Sequence, residues 1–306
     1  MDVELSVIIP TFNNLRVLER CLDSWERFGS DQPIELIVIE DGCNDGTADY
    51  LRGREQTLWG RRALHWVHEN DVNQLMCNNR GFGMARAPLF LVWDDDMFLS
   101  VRWFVPELLR TFSAYPEIGL LSLIRGLNVF PLKHPIKRWE DLHNRENMIS
   151  SIGQGPLNWF RLAEVDIVVR PWVVRRECID QVGPLDEAFC PIEWDEADLA
   201  YRIREAGWRV ATHNYERLGA FTHLGSTTLG KMPGDQHKAM VLANGHLFHE
   251  RWQATIRKQH PRQRRTWWRV PSLLSIPELV KSAAAFGWRK ARRRMADSRQ
   301  VSTTDR

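Results

Sequence analysis

Three adjacent aspartates, Asp94-Asp95-Asp96, close the apolar run Leu89-Phe90-Leu91-Val92-Trp93. Neighbouring carboxylates repel, so they persist in a fold only where water, a cation or hydrogen-bond donors neutralise them. Mg²⁺ or Mn²⁺ does this through carboxylate oxygens while keeping coordination positions for a diphosphate. A solvated acidic turn is the alternative. A second carboxylate, Asp41, follows Ile37-Val38-Ile39-Glu40 and precedes Gly42 and Gly46, which permit a tight turn. It can accept from a base N–H or a ribose hydroxyl, although Asn44-Asp45-Gly46-Thr47 also reads as an ordinary turn into a helix. A third group, Asp195-Glu196 with Asp198, stands at the start of an expected helix. There a carboxylate either takes a proton from a substrate or answers the helix dipole and caps the first turn.

These groups need elements to hold them. Residues 5–9 form an apolar run stopped by Pro10, and Leu15, Leu18, Leu22 and Trp25 follow at helical spacing. Residues 34–39, 63–67 and 89–93 read as further strands, with helices from Thr47 and over 74–86 between them. The alternation predicts right-handed crossovers and a mainly parallel, Rossmann-like sheet, whose strand C-termini collect ligands. Farther on, the pattern predicts a helix over 100–115, a strand over 118–124 and an irregular segment over 125–162 that suits a binding loop. A strand over 165–169 and helices near 173–181, 195–206 and 235–252 complete the reading. The expected division is a catalytic body over 1–255, with a nucleotide-binding half over 1–124 and an acceptor half over 125–255, then a basic tail over 256–306.

Hydrophobic residues make up 43% of the 306 and charged residues 26%, which supports a sizeable core and excludes global disorder. Cys21, Cys43, Cys77, Cys178 and Cys190 never form a CxxC pair, against a zinc ribbon or disulfide framework. No stretch approaches the ~20 apolar residues of a membrane span, and Met1 leads into acidic residues. The expectation is a cytoplasmic protein, peripheral on the inner face of the membrane if it meets one. Residues 251–306 hold 15 Lys/Arg against Glu278, Asp297 and Asp305, so the net charge of +2 splits into +12 there and −10 over residues 1–250. An acidic body offers nucleic acid no footing, and no nucleic-acid partner is expected.

Four segments follow one another in an order and spacing that resembles family 2 glycosyltransferases of the GT-A fold: Val7-Ile8-Ile9-Pro10-Thr11-Phe12-Asn13-Asn14, Glu40-Asp41-Gly42-Cys43-Asn44-Asp45-Gly46-Thr47, Asn79-Arg80-Gly81 with Ala85, and Trp93-Asp94-Asp95-Asp96. Gly183-Pro184-Leu185-Asp186-Glu187-Ala188-Phe189 is similar to that family's GGFDE segment, and Asp195-Glu196-Ala197-Asp198-Leu199 to its EDxDL. The likeness covers about residues 4–230. It implies a GT-A type α/β domain and a metal-dependent, inverting transfer from a nucleoside-diphosphate sugar. A UDP-sugar is favoured over a GDP- or dTDP-sugar. The implied acceptor is a hydroxyl of a glycan or lipid-linked sugar, in cell-surface polysaccharide or glycolipid assembly.

The same resemblance implies roles for single residues. Asp94 and Asp96 stand as the aspartates of the DXD metal motif for Mn²⁺ or Mg²⁺, with His223 completing the metal site or touching the diphosphate. Pro10, Thr11, Asn13, Glu40, Asp41, Arg80, Asp94 and Asp95 fall around the nucleotide sugar. The catalytic base falls on Glu196, with Asp195 second. Two departures stand out: the usual Asp-Asp pair is Glu40-Asp41 here, and the usual Glu-Asp is inverted to Asp195-Glu196, one methylene longer at the base. Read by itself, His223 is as well explained as the cap of a strand end, with His213 a weaker competitor. Trp159 and Arg161 can stack on a sugar or hold a phosphate, although core packing is the commoner role of tryptophan. A sugar-phosphate nucleotidyltransferase would need a Gly-rich basic loop that Pro10-Thr11-Phe12-Asn13-Asn14 lacks. A non-catalytic carbohydrate-binding or scaffold protein would not need carboxylates at both the metal and the base positions.

The tail joins basic and aromatic residues in Arg264-Arg265-Thr266-Trp267-Trp268-Arg269. An amphipathic helix over 277–294 would set Leu279, Val280, Ala283 and Phe286 against Lys281, Arg289, Lys290, Arg292, Arg293 and Arg294. Such a helix suits an anionic bilayer surface, while a solvated basic end is the alternative. If the apolar face inserts, co-sedimentation with anionic vesicles will survive salt that shortens the Debye length well below ~10 Å. Phe286→Asp will abolish that salt-resistant fraction, and a variant that sediments like the wild type would rule insertion out.

Overall fold

Unbroken runs of buried aliphatic side chains make the first half of the chain a parallel sheet. The computed structural model describes residues 2–138, 141, 149–152, 161–225, 234–258 and 266–268. Trp159, the side chain of Arg161 and the helix expected over 277–294 lie outside the described residues. Strands β1 (Leu5–Thr11) and β2 (Ile34–Asp41) are buried at every position, and β3 (Leu64–Glu69) and β4 (Leu89–Val92) complete a parallel set in the order β3-β2-β1-β4. Helices α1 (Leu15–Gly29), α2 (Thr47–Glu55), the single turn α3 (Gly60–Ala63) and α4 (Gln74–Met84) make the crossovers. Alternate residues of β1 face opposite layers. Val7 and Ile9 meet Leu18, Leu22 and Trp25 of α1, and Ile8 meets the layer containing Leu75 and Phe82 of α4.

The strand expected to stop at Pro10 continues to Thr11, although proline removes a ladder donor. Pro10 shares the parity of Ile8, whose carbonyl accepts from Trp93 N–H, so the missing donor faces the side where β4 has already ended at Val92.

After β4 come β5 (Met97–Leu99), α5 (Phe104–Ala114), β6 (Ile118–Ser122), β7 (Gly126–Val129), β8 (Ile149–Ile152), β9 (Arg161–Glu164), β10 (Ile167–Val168) and β11 (Trp172–Arg175). Then follow α6 (Arg176–Val182), α7 (Asp195–Glu205), β12 (Arg209–Thr212), β13 (Phe221–His223), α8 (Gly234–Lys258) and β14 (Thr266–Trp268). Among the described residues the main sheet has the order β14-β9-β12-β6-β11-β4-β1-β2-β3, with β11 and β9 running against the rest. Two expectations fail here. The helix expected near 173–181 begins at Arg176, because Trp172, Val173 and Val174 are wholly buried and pair with β4 and β6 on either side. The strand expected over 165–169 shrinks to β10, which leaves the main sheet for a small one of order β10-β7-β8. Helix α8 runs past residue 255 to Lys258, and β14 joins the main sheet beside β9. No helix among the described residues is long and apolar enough to cross a membrane.

Residue 81 must be glycine for α4 to lie this close to the sheet. A Cβ there would stand 2.3 Å from Ile8 Cγ2, inside any real contact distance. Gly81→Ala will therefore lower stability by about 1–3 kcal/mol, the cost of overpacking a filled core. Urea unfolding measures this, and combining it with Ile8→Ala will recover part of the Gly81→Ala loss if the clash is the cause.

Candidate active site

The acidic turn is built on tryptophan. Trp93 is fully buried, its indole N–H donates to Met97 O at 3.0 Å, and its ring packs edge-on against Trp25 and Phe221. That anchor fixes a turn closed by Met97 N–H to Asp94 O, and the three carboxylates part company across it. Asp95 points inward, where Thr11 Oγ1 and Asn14 Nδ2 donate to its two oxygens at 2.7 and 3.0 Å. Burial nevertheless pushes its carboxyl up to about 7, with Thr11 and Asn14 opposing the shift. Asp94 and Asp96 face the other way. Gln74 Nε2 donates to Asp94, and His223 Nε2 lies 3.2 Å from Asp96 Oδ1.

His223 arrives from far along the chain because β13 pairs antiparallel with β5, setting His223 opposite Met97. Ligand atoms of Asp94, Asp96 and His223 lie within 4.8 Å of one another. The second oxygen of Asp96 is buried and has no hydrogen-bond partner. Two carboxylates and an imidazole, with one oxygen left over, fit a divalent cation such as Mn²⁺ or Mg²⁺. Burial and the nearby Asp96 raise the Asp94 carboxyl above its ordinary range, against the pull of Arg170. Burial works against a charged His223, but its hydrogen bond to Asp96 and the charges of Asp96 and Asp94 prevail and raise it.

Across from the turn lies the start of α7. Glu193 and Trp194 both hold positive φ, 79° and 68°, and this bend delivers Asp195 and Glu196 to the site. Such conformations cost non-glycine residues free energy and persist only where surroundings impose them. Here Asn244 of α8 donates to the carbonyls of Phe189, Ile192 and Glu193, and Phe248 packs on the Trp194 ring at 5.0 Å. Asp195 is wholly buried and accepts from Arg170 Nη2 at 3.1 Å, while Glu196 stays one-fifth exposed. Burial and the adjacent Asp195 hold the Glu196 carboxyl well above its ordinary range, with Arg170 opposing. Asp198 turns away to accept from Arg202, Arg251 and Trp252, tying α7 to α8.

The residues expected around the nucleotide separate into groups. Thr11 is committed to Asp95, and Pro10 is a buried strand residue beside it. Asn13, at φ 49°, accepts from Asn44 N–H at 2.7 Å and joins the loop after β1 to the loop after β2. Asp41 accepts from Val72 and Asn73 N–H at 2.7 and 3.0 Å, fixing the entry to α4. Glu40, fully buried, accepts from Cys43 N–H and meets His68 Nδ1. Arg80 pairs with Glu69 at 3.1 Å at the end of β3, and no contact to the acidic turn appears among the described residues. Two site residues escaped sequence reasoning, Gln74 and Arg170. The signal for Arg170 was its place directly after the apolar run Ile167-Val168-Val169 and before Pro171.

The sequence pattern of glycosyl transferase family 2 matches residues 6–163, just over half of the chain. The chain belongs to that family. Validoxylamine A glucosyltransferase of Streptomyces hygroscopicus subsp. jinggangensis is 26% identical over 230 residues, covering 66% of this chain and 52% of that protein. Chondroitin synthase of Pasteurella multocida is 28% identical over 231 residues, 67% of this chain and 23% of its own. The chain thus spans about half of the first relative's length and less of the second's. A solved structure of GalNAc-T7 with UDP, GalNAc and Mn²⁺ superposes with a TM-score of 0.60 over 83% of this chain and 50% of that one, at 14% identity, which shows a shared fold. Asp195, Glu196 and His223 lie beyond the residues matched to the family pattern, so their assembly is a finding of this chain's own tertiary structure.

A metal site of this kind makes a two-signed prediction for Asp96→Asn. Without added metal the variant will melt at or above the wild-type temperature, because one of three crowded carboxylates is neutralised. With Mn²⁺ at 100 times its Kd the wild type will gain ~2.7 kcal/mol of stability, and the variant will gain far less. An unchanged Mn²⁺-induced shift in Asp96→Asn would remove it from the ligand set.

Proposed function

We propose that this chain carries out a metal-dependent, inverting glycosyl transfer from a nucleoside-diphosphate sugar, with a UDP-sugar favoured, to a hydroxyl of a glycan or lipid-linked acceptor. The observation that carries the reading is the opposition of two acidic groups across one guanidinium: Asp94 and Glu196 each stand 3.9 Å from that of Arg170. Family membership supports the chemistry. The Mn²⁺ and UDP named with GalNAc-T7, and the glucosyl transfer named for the Streptomyces relative, agree with it in kind.

In this reading Asp94, Asp96 and His223 hold the divalent ion, which when bound supplies neutralising charge for the departing diphosphate. Thr11 and Asn14 do not touch donor directly in this scheme; they lock Asp95 inward so that Asp94 and Asp96 converge. Glu196 accepts the proton of the acceptor hydroxyl as that oxygen bonds to the anomeric carbon and the bond to the diphosphate breaks on the opposite face. One displacement inverts the anomeric centre and needs no covalent nucleophile. Asp195, clamped by Arg170, keeps the start of α7 in place and, by its charge, keeps Glu196 basic. The nucleotide half over 1–124 would serve the donor and the acceptor half over 125–255 the acceptor, with the basic tail available to an anionic membrane surface.

Glu196→Gln keeps shape but accepts no proton, so turnover will fall by ~10² or more while Mn²⁺-dependent UDP binding stays near wild type. Because the Glu196 carboxyl is raised, wild-type turnover will climb as pH rises through its deprotonation, and the variant will lack that rise. Release of nucleoside diphosphate from a panel of nucleotide sugars, followed across pH, makes both measurements. Full activity in Glu196→Gln would move the base elsewhere.

A further inference from the structure

Between the acidic turn and the start of α7 lies a buried cation, Arg170, that is among neither the residues matched to the family pattern nor the candidate metal ligands. The Arg170 side chain is only 10% exposed. Three carboxylates from two halves of the chain surround it: Asp195 at 3.1 Å, Glu196 at 3.9 Å and Asp94 at 3.9 Å. Its Nε and Nη1 are buried with no hydrogen-bond partner, so the guanidinium is held by charge more than by a filled set of bonds. Topology puts it there. Strand β11 pairs antiparallel with β4 and sets Trp172 opposite Val92. Carried two residues further, the same register sets Arg170 beside Asp94. The backbone on both sides is pinned to the end of β6, with Ser122 Oγ donating to Val169 O at 2.7 Å and Leu123 N–H to Pro171 O at 2.9 Å.

We propose that Arg170 is a positioning residue for the transfer, a fixed cation that ties the metal-binding turn to the start of α7 and so sets the separation between the ion and the base. The proposal rests on the transfer reading above. Its geometry gives the residue two opposed effects. By neutralising charge at Asp95's neighbour Asp94, Arg170 competes with the divalent ion for that carboxylate and weakens metal binding. By gripping Asp195, it holds Glu196 where an acceptor hydroxyl can reach it and so supports turnover. A residue needed only for folding would damage both properties together.

The test uses the full chain with Arg170→Met and Arg170→Lys. Mn²⁺ alone is titrated and followed by electron paramagnetic resonance, and turnover is read as nucleoside diphosphate released from the nucleotide sugar the wild type uses. Arg170→Met will bind Mn²⁺ about fivefold more tightly or better, the factor for ~1 kcal/mol between unit charges ~4 Å apart even at the dielectric of water. The same variant will lose tenfold or more in kcat with little change in the donor KM. Arg170→Lys keeps the charge without the fork, so its Mn²⁺ affinity will stay near wild type while kcat remains low. Should Arg170→Met fail to fold, that split in Arg170→Lys decides the matter alone. Weaker Mn²⁺ binding together with slower turnover in both variants would make Arg170 a structural residue, and unchanged kcat would remove its positioning role. A wild type that binds Mn²⁺ but turns over no nucleotide sugar would overturn the transfer reading itself, and this proposal with it.

Discussion

Like charge gathered at the C-terminal end of an inner strand is the constraint from which the rest of this structure follows. Asp94, Asp95 and Asp96 after β4 meet Asp195 and Glu196 at the start of α7, and burial, then the neighbouring carboxylates, raises the cost of ionising Asp94, Asp95 and Glu196. The chain meets that cost in three ways. Asp95 is turned inward onto neutral donors, Asp96 is set against His223, and Asp195 is given a buried guanidinium. One oxygen each of Asp96 and Asp195 still lacks a hydrogen-bond partner, and the Glu196 carboxyl stays raised by burial and by Asp195. Perturbed groups of this kind concentrate at functional sites because function needs charge that is not yet satisfied.

Rigid hydrophobic parts make that arrangement tolerable. Trp93 is locked among Trp25, Phe104 and Phe221, so the turn that follows it has little freedom to splay its carboxylates apart. On the opposite side, the strained entry to α7 is enforced by α8 through Asn244, Phe248, Arg251 and Trp252. Helix α8 thus acts at the site without contributing a reacting group. The tight approach of α4 to β1 at Gly81 serves the same end, since α4 carries Gln74 to Asp94 and Asn79 to the backbone of Leu185.

Much of this was legible in the sequence because it is local. Buried strands announce themselves as apolar runs, so β1, β2 and β4, the helix α1, the three aspartates after β4 and the acidic start of α7 could all be placed from spacing and residue type. Residues 173–175 were misread as helical because a short apolar run fully buried on both faces has no period to betray it. The clamping roles of Asp41 and Glu40 were invisible for a related reason. A carboxylate after a strand looks the same whether it waits for a ligand or accepts from the N–H groups of another loop.

What the sequence by itself determined was therefore the mainly parallel α/β sheet, the family and the kinds of residue gathered at the candidate site. Only tertiary structure decided which of them meet. His223 reaches Asp96 because β13 happens to pair with β5, and Arg170 reaches Asp94 and Asp195 because β11 enters the sheet antiparallel between β4 and β6. The pairings of β13 with β5 and of β11 with β4 join residues far apart in the chain, Phe221 with Leu99 and Trp172 with Val92, and their register is set by the burial of whole faces rather than by any local pattern. The carboxylates are written in the chain, but the cations that balance them are supplied by the fold.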